Sequence, residues 1–200
     1  MEKQIYEQIS STKHNTWACW DNSFDENINE HFSLEKHGND LKPDIIFLGL
    51  NATRELKYPN FHYPNHANDR KLKNAIQGDS LEKPQLPSLF GAFMTDLVHD
   101  QAEADSSKVE IKDHHYKKFE KKLYTLGQDQ YQIICFGGKV YDAMKAWLVD
   151  EQEYESGLKS CAAQSDKPWD VTIYKVMHYA FRFGKNVFPE QLQEIDKRLM

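Results

Sequence analysis

Two polar side chains close apolar runs in positions suited to chemistry. The run Asp44-Ile45-Ile46-Phe47-Leu48-Gly49-Leu50-Asn51 has no polar alternation, passes through a glycine and ends in an amide. Such a run reads as a strand buried on both faces of a parallel sheet. Much later the strand-like stretch Val171-Thr172-Ile173-Tyr174-Lys175-Val176-Met177 ends in His178. Open α/β sheets bind ligands outside the carboxyl ends of their strands. The expectation is that Asn51 and His178 close neighbouring strands and face one pocket. A neutral amide positions a reactant rather than deprotonating it. Taken singly, each residue has a plainer reading: Asn51 as the cap of the next turn, His178 as a core histidine satisfied by backbone.

Other spacings carry less. His62 and His66 are four apart, but Pro64 between them breaks the helix a zincin-like site would need. His114-His115, adjacent on a helix, should point apart and lie at the surface. Gly138-Lys139 lacks the upstream glycine of a P-loop, and no Gly-x-Ser-x-Gly elbow occurs. Cys19, Cys135 and Cys161 are far apart and form no Cys-x-x-Cys pair, which argues against a disulfide framework or a zinc knuckle. Cys135 reads as a small core residue. No metal and no cofactor is expected, and a reducing, cytoplasmic location is.

The elements that must position the two residues form an alternating pattern. Residues 1–43 are polar and spotted with Trp17, Trp20, Phe24 and Phe32, and read as a helical and irregular extension. Strand 44–50 is followed by a long aromatic loop, 51–67, of the kind that often carries function. Asp69 is a plausible cap for a helix over 70–77, closed by Gly78. Residues 91–98 are a strand candidate, 113–126 a helix and 131–136 a strand. Gly137-Gly138 turns into a helix carrying Val140, Met144 and Trp147. Residues 150–169 read as a polar connection, 171–177 as a strand, and Pro189 opens the last helix. This predicts a single α/β domain over 1–200, a three-layer αβα sandwich around a mostly parallel four-stranded sheet.

With 200 residues, 40% hydrophobic and 28% charged, the chain is long enough for a sizeable core. The first residues lead into no apolar h-region and no run approaches membrane-spanning length, so neither a leader nor a membrane partner is expected. A net charge of −6 argues against bulk attraction to DNA. Yet the stretches 52–73 and 179–187 hold Arg54, Lys57, Arg70, Lys71, Lys73, Arg182 and Lys185 against only Glu55 and Asp69. Such segregation would build a local basic rim, with solvated surface charge as the plainer reading.

In order and spacing, five segments resemble the uracil-DNA glycosylase superfamily, nearest its mismatch-specific uracil/thymine branch. Phe47-Leu48-Gly49-Leu50-Asn51-Ala52-Thr53 stands where that branch has Gly-(Ile/Met)-Asn-Pro-Gly. Phe61-His62-Tyr63-Pro64, then Ala67-Asn68, is similar to its Phe-x-His-Pro-Ala-Asn loop. Gly91-Ala92-Phe93-Met94-Thr95-Asp96-Leu97-Val98 resembles its Gly-x-Thr-x-Leu-Val segment. Ile133 to Gly138, with Tyr141 beyond, resembles the next strand and turn. His178-Tyr179-Ala180-Phe181-Arg182 occupies the place of its His-Pro-Ser-Pro-Arg motif. The resemblance runs from about residue 44 onward, and some phrases also resemble uncharacterised bacterial members. Ala52-Thr53 replaces Pro-Gly, and Tyr179-Ala180 replaces Pro-Ser. Three scattered cysteines cannot supply the four that the superfamily's iron–sulfur classes need.

The resemblance implies hydrolysis of the N-glycosidic bond of uracil or another damaged or mismatched base in DNA. Asn51 would hold the attacking water, and His178 would donate a hydrogen bond to the departing base. Phe61 would stack on the flipped ring, Asn68 or Asp69 would read its edge, and Arg182 and Lys185 would contact phosphate. Phe181 and Phe183 would belong to a wedge over 179–187. The expected partner is DNA or a nucleobase-containing ligand. Two other readings stand beside the enzyme: a catalytically silent binder of the same fold, and a hydrolase or sensor acting on a small nucleoside. The oligomeric state is left open.

Overall fold

A computed structural model describes residues 3–10, 14–20, 38–52, 67–79, 82–148, 160–163, 167–180 and 186–200. Helices α1 (Lys3–Ser10), α2 (Ala67–Ile76), α3 (Asp113–Leu126), α4 (Gly138–Leu148) and α5 (Val187–Leu199) surround one sheet. Its strands are β1 (Asn15–Trp17), β2 (Lys42–Asn51), β3 (Ala92–Val98), β4 (Gln130–Phe136), β5 (Ser160–Ala163) and β6 (Asp170–Val176), in the order β1-β3-β2-β4-β6-β5. The four central strands are mutually parallel. This is an α/β fold with a mostly parallel sheet, wider than the four strands expected. Two short antiparallel edges complete it: β1 on β3 and β5 on β6. Three and four residues are too few for a period-two pattern to stand out in sequence, so both edges were invisible there.

The apolar runs behave as their composition demands. Ile45 to Leu50 of β2 and all of β3 are buried. Pro43 falls inside β2, where the pairing with β3 slips between Lys42 and Ile46, and a residue without an N–H is tolerated there. Helices cover both faces, an arrangement compatible with a three-layer sandwich. Register aligns Gly49, Asp96, Phe136 and Val176 on one face and Leu48, Thr95, Cys135 and Lys175 on the other. Phe188 of α5 meets Phe136, with ring centroids 6.2 Å apart, while Lys122 of α3 bonds Thr95, so α5 and α3 lie on opposite faces. Trp147 of α4 packs on Tyr116 and Phe119 of α3, and α2 packs on α5. The topology explains the split. The crossover from β2 to β3 runs one way along the sheet, and those to β4 and β6 run the other, so right-handed connections put their helices on opposite sides.

The early chain is part of this body. Trp17 and Trp20 are buried, and the Gln77 side chain pairs with both backbone groups of Trp20, accepting from its N–H and donating to its carbonyl at 2.8 Å each. Phe24 and Phe32, expected as further anchors, lie outside the described residues.

Gly91 enters β3 with φ +81, and a Cβ there would lie 1.8 Å from the Asp40 carbonyl oxygen. Gly127 closes α3 with φ +66 and would meet nothing within 4 Å. Gly127→Ala should therefore cost only the left-handed penalty, about 1–2 kcal/mol. Gly91→Ala should add overpacking of about 1–3 kcal/mol to the same penalty. Urea unfolding at constant m-value ranks the two; equal midpoints would contradict the close approach.

Candidate functional site

The strand order creates one place where connections diverge. Chain leaving β2 goes to α2 on one face, and chain leaving the adjacent β4 goes to α4 on the other. In open α/β sheets such a switch point is where a ligand crevice forms, at the carboxyl ends of the two strands. Asn51 closes β2 on its rim. His178 follows the end of β6 by two residues, so the two do not close neighbouring strands as expected: β4 lies between. Two strand spacings, about 9.5 Å, separate those strands. The turn after β4 lies beside His178. Gly137 donates to the Val176 carbonyl at 2.9 Å, and the His178 Cβ lies 4.0 Å from where a Gly137 Cβ would stand.

Asn51 is first a clamp. Its Nδ2 lies 2.9 Å from the Ala52 carbonyl oxygen, 3.0 Å from that of Gln101 and 2.9 Å from that of Glu103. Glu103 donates its own N–H to the Ala52 carbonyl at 3.2 Å. The amide thus pins the loop that leaves β3, close to the capping role that is its plainer reading. Its nitrogen is committed to carbonyls, and Oδ1 is the atom left to accept from another group.

His178 is exposed, not a core histidine. The backbone N–H of Ala180 donates to its Nδ1 at 3.1 Å. In the neutral ring the proton therefore sits on Nε2. The ring stacks on Tyr179, centroids 4.5 Å apart and 25° from parallel. Tyr179 is buried against Phe136 and Phe188. Burial pushes its hydroxyl well above the usual phenol range, and its hydrogen bond to the Asp69 carboxylate adds to this, so Tyr179 donates. Asp69 was expected as the cap of a helix beginning at residue 70. The helix begins at Ala67, so Asp69 falls inside its first turn and turns inward instead.

The residue that joins these groups was not singled out from sequence. Asp96 is 4% exposed, on an otherwise apolar strand apart from Thr95. Its register partner is Gly49, and a Cβ on Gly49 would lie 2.2 Å from Asp96 Oδ1. The carboxylate thus rests over bare backbone, on the face that holds Phe136. Its charge is felt at Tyr179. Oδ2 is buried without a hydrogen bond, and His14 Nδ1 lies 3.9 Å away. A buried acceptor without a donor costs about 1–3 kcal/mol, more when charged. A charged residue inside a buried β-strand run was the sequence signal that could have found it.

Behind the other face runs a chain of hydrogen bonds. His99 Nε2 lies 2.7 Å from the Asp96 carbonyl and 2.8 Å from Lys122 Nζ. Both contacts converge on one ring nitrogen, and of the two neighbours the carbonyl can only accept. Lys122 donates to Thr95 Oγ1, Thr95 to Asn15 Oδ1 at 2.9 Å, and Asn15 to the Ile9 carbonyl at 2.6 Å. His14 stacks on His99, centroids 4.3 Å apart. Burial lowers the Lys122 amine from 10.5 to about 7, with Lys118 adding and Asp96 opposing. Burial, and then Lys122 and His14, lower His99 to about 3.

His114 and His115 do not point apart. Both reach Asp100, Nε2 to carboxylate at 2.8 Å and 2.7 Å, because they occupy the first turn of α3 with Asp100 between them. His115 is fully buried. Hydrogen bonding from His114 holds the Asp100 carboxyl below the usual carboxylate range, with His115 adding. The three ligand atoms lie within 4.8 Å of one another. The Lys112 N–H donates to His115 Nδ1 at 2.9 Å, which leaves Nε2 protonated. That nitrogen lacks the lone pair a metal would need.

Of the remaining expected residues, Asn68 is half-exposed in the first turn of α2. Phe61, Arg182 and Lys185 lie outside the described residues, as do Arg54, Lys57, His62, His66, Phe181 and Phe183. Arg70 and Lys71 are exposed, but Lys73, counted toward a basic rim, is buried, and burial lowers its amine.

Asn51→Ala should release the loop after β3. Limited proteolysis should then cut between residues 99 and 112 faster than in the parent protein, and unchanged cleavage would contradict the clamp. Lys122 gives a pH signature. Its folded pKa lies below its unfolded value, so between about 7 and 10.5 the unfolded chain binds the extra proton and stability rises with pH. Urea midpoints should climb from pH 7 to pH 9.5, and Lys122→Met should flatten that climb. A parent protein with no climb would mean that the amine is charged.

No protein-family model matches the chain, and no curated protein matches it.

Proposed function

We propose that the chain is a uracil-DNA glycosylase-like protein that takes a flipped nucleobase into the crevice between β2 and β4 and hydrolyses its N-glycosidic bond. The observation that carries this reading is the fixed tautomer of His178. A neutral imidazole protonated on Nε2 can donate to an oxygen that gains charge as the base departs. Asn51 Oδ1 is then the acceptor that orients water. Water oxygen bonds C1′ while the C1′–N bond breaks and leaves its electron pair on the base. The attacking water loses its proton to solvent, since an amide takes none. Exposed Arg70 and Lys71 on α2 supply positive charge for a phosphate backbone.

A second reading has its own support. Tyr179 fills space where the resembling motif has proline, and Asn51 spends its nitrogen on a loop. Both favour a protein of this fold that binds a nucleobase without cleaving.

Oligonucleotides carrying uracil, hypoxanthine and mismatched bases separate the two. Under the enzymatic reading at least one base is released, and His178→Ala lowers the single-turnover rate by about 10²–10³ with little change in binding. Equal losses in rate and binding would make His178 a packing residue. Binding without release by the parent protein would favour the silent binder.

A further inference from the structure

The edge between β1 and β3 holds one unfinished contact. Asn15 pairs with Thr95 and Thr16 with Met94 in an antiparallel register. One step further along that register His14 stands opposite Asp96, and residues directly opposite on neighbouring strands share a face. The side chains meet accordingly. His14 Nδ1 lies 3.9 Å from Asp96 Oδ2, beyond hydrogen-bond length. Oδ2 is buried without a hydrogen bond, and the Tyr179 hydroxyl is committed to Asp69. The His14 side chain is 20% exposed against 5% for Asp96, so the imidazole is the partner open to solvent protons. Its ring lies 6° from parallel with that of His99. Strand β1 is only three residues long, so a single added contact weighs heavily in how firmly it is held.

We propose that His14 and Asp96 form a proton-operated clasp that fastens β1 to the outer edge of β3. When the imidazole takes up a proton from solvent, Nδ1–H closes on Oδ2 in a charge-assisted hydrogen bond. When it gives the proton up, the attraction falls and the edge loosens. The surrounding charges set the sense. His99, stacked on His14, is kept neutral by burial and by the positive charges of Lys122, His14 and Lys118. On α3, Lys122 is drawn toward its charged form by Asp96 and opposed by Lys118. On the side of α2 stand Asp69 and the Tyr179 hydroxyl, which keeps its proton. Lys122 and His14 are thus the two groups placed to answer the Asp96 charge, and only the His14 charge is carried by the amino-terminal segment. A histidine that gains a carboxylate partner keeps its proton to higher pH than a free one, so the fastening is present in mild acid and lost as pH rises. Opening β1 uncovers the backbone edge of β3, on which another strand can pair.

The test is amide hydrogen exchange of the full chain at pH 6 and pH 8, either side of the usual imidazole range, corrected for intrinsic exchange rates. Protection of β1 is read relative to β4. Lys122 acts on the whole fold in the opposite direction, and the ratio removes that contribution. In the parent protein the ratio should be at least about tenfold higher at pH 6 than at pH 8. His14→Gln and Asp96→Asn should each abolish the difference. Circular dichroism confirms that each variant is folded, and the parent result is read independently of both. Nitrogen-15 NMR of the imidazole gives a second readout: the His14 titration midpoint should fall in Asp96→Asn. An equal ratio at the two pH values in the parent protein, or a difference that survives both substitutions, overturns the proposal. A His14 titration unmoved by Asp96→Asn overturns it as well.

Discussion

What position 49 lacks determines how the site is built. A side chain there would occupy the space of an Asp96 carboxylate oxygen. Because none exists, a charged group lies across the backbone of a central strand near the end where the crevice opens. The arrangement then propagates. Tyr179 is seated within reach of that charge, its hydroxyl turns to Asp69, and Asp69 draws the first turn of α2 toward β6. His178 lies flat on Tyr179 and inherits its orientation. Two carboxylates and a phenol in one buried place are tolerable only because the phenol keeps its proton and shares it.

The opposite face solves a similar problem by other means. Lys122 enters a buried place where an ammonium is costly, which lowers its amine, and in the chain from His99 to Ile9 it donates to Thr95, Thr95 to Asn15 and Asn15 to Ile9. That relay fastens α1 and β1 to β3 and α3 with directional bonds. It stands one residue away from Asp96, whose carbonyl serves the relay and whose carboxylate serves the crevice. One residue of β3 therefore belongs to both polar systems.

Much of the fold was legible because the central strands are apolar without interruption. Asp113–Leu126 and Gln130–Phe136 fall within a residue of the sequence reading, and Asn51 sits at its strand end as read. Strand order was not legible, because periodicity says nothing of which strand lies beside which; that is why β4 came between the ends carrying Asn51 and His178. Asp96 escaped notice because a charge in an apolar stretch reads as a surface residue until a glycine opposite makes room for it. His115 escaped because its burial depends on Asp100, a loop residue with no periodic signature. The roles of Phe61, Arg182 and Lys185 remain expectations from the resemblance.

The pairing of β1 with β3 has a consequence for the order of folding. Asn15 faces Thr95 across the sheet edge, and Trp20 is held by Gln77. During synthesis the first strand emerges long before its partner, so it has nothing to pair with while β2 and α2 are being made. Closing so long a span carries an entropic cost. Until the amino-terminal segment locks, the outer edge of β3 is an open template for another chain.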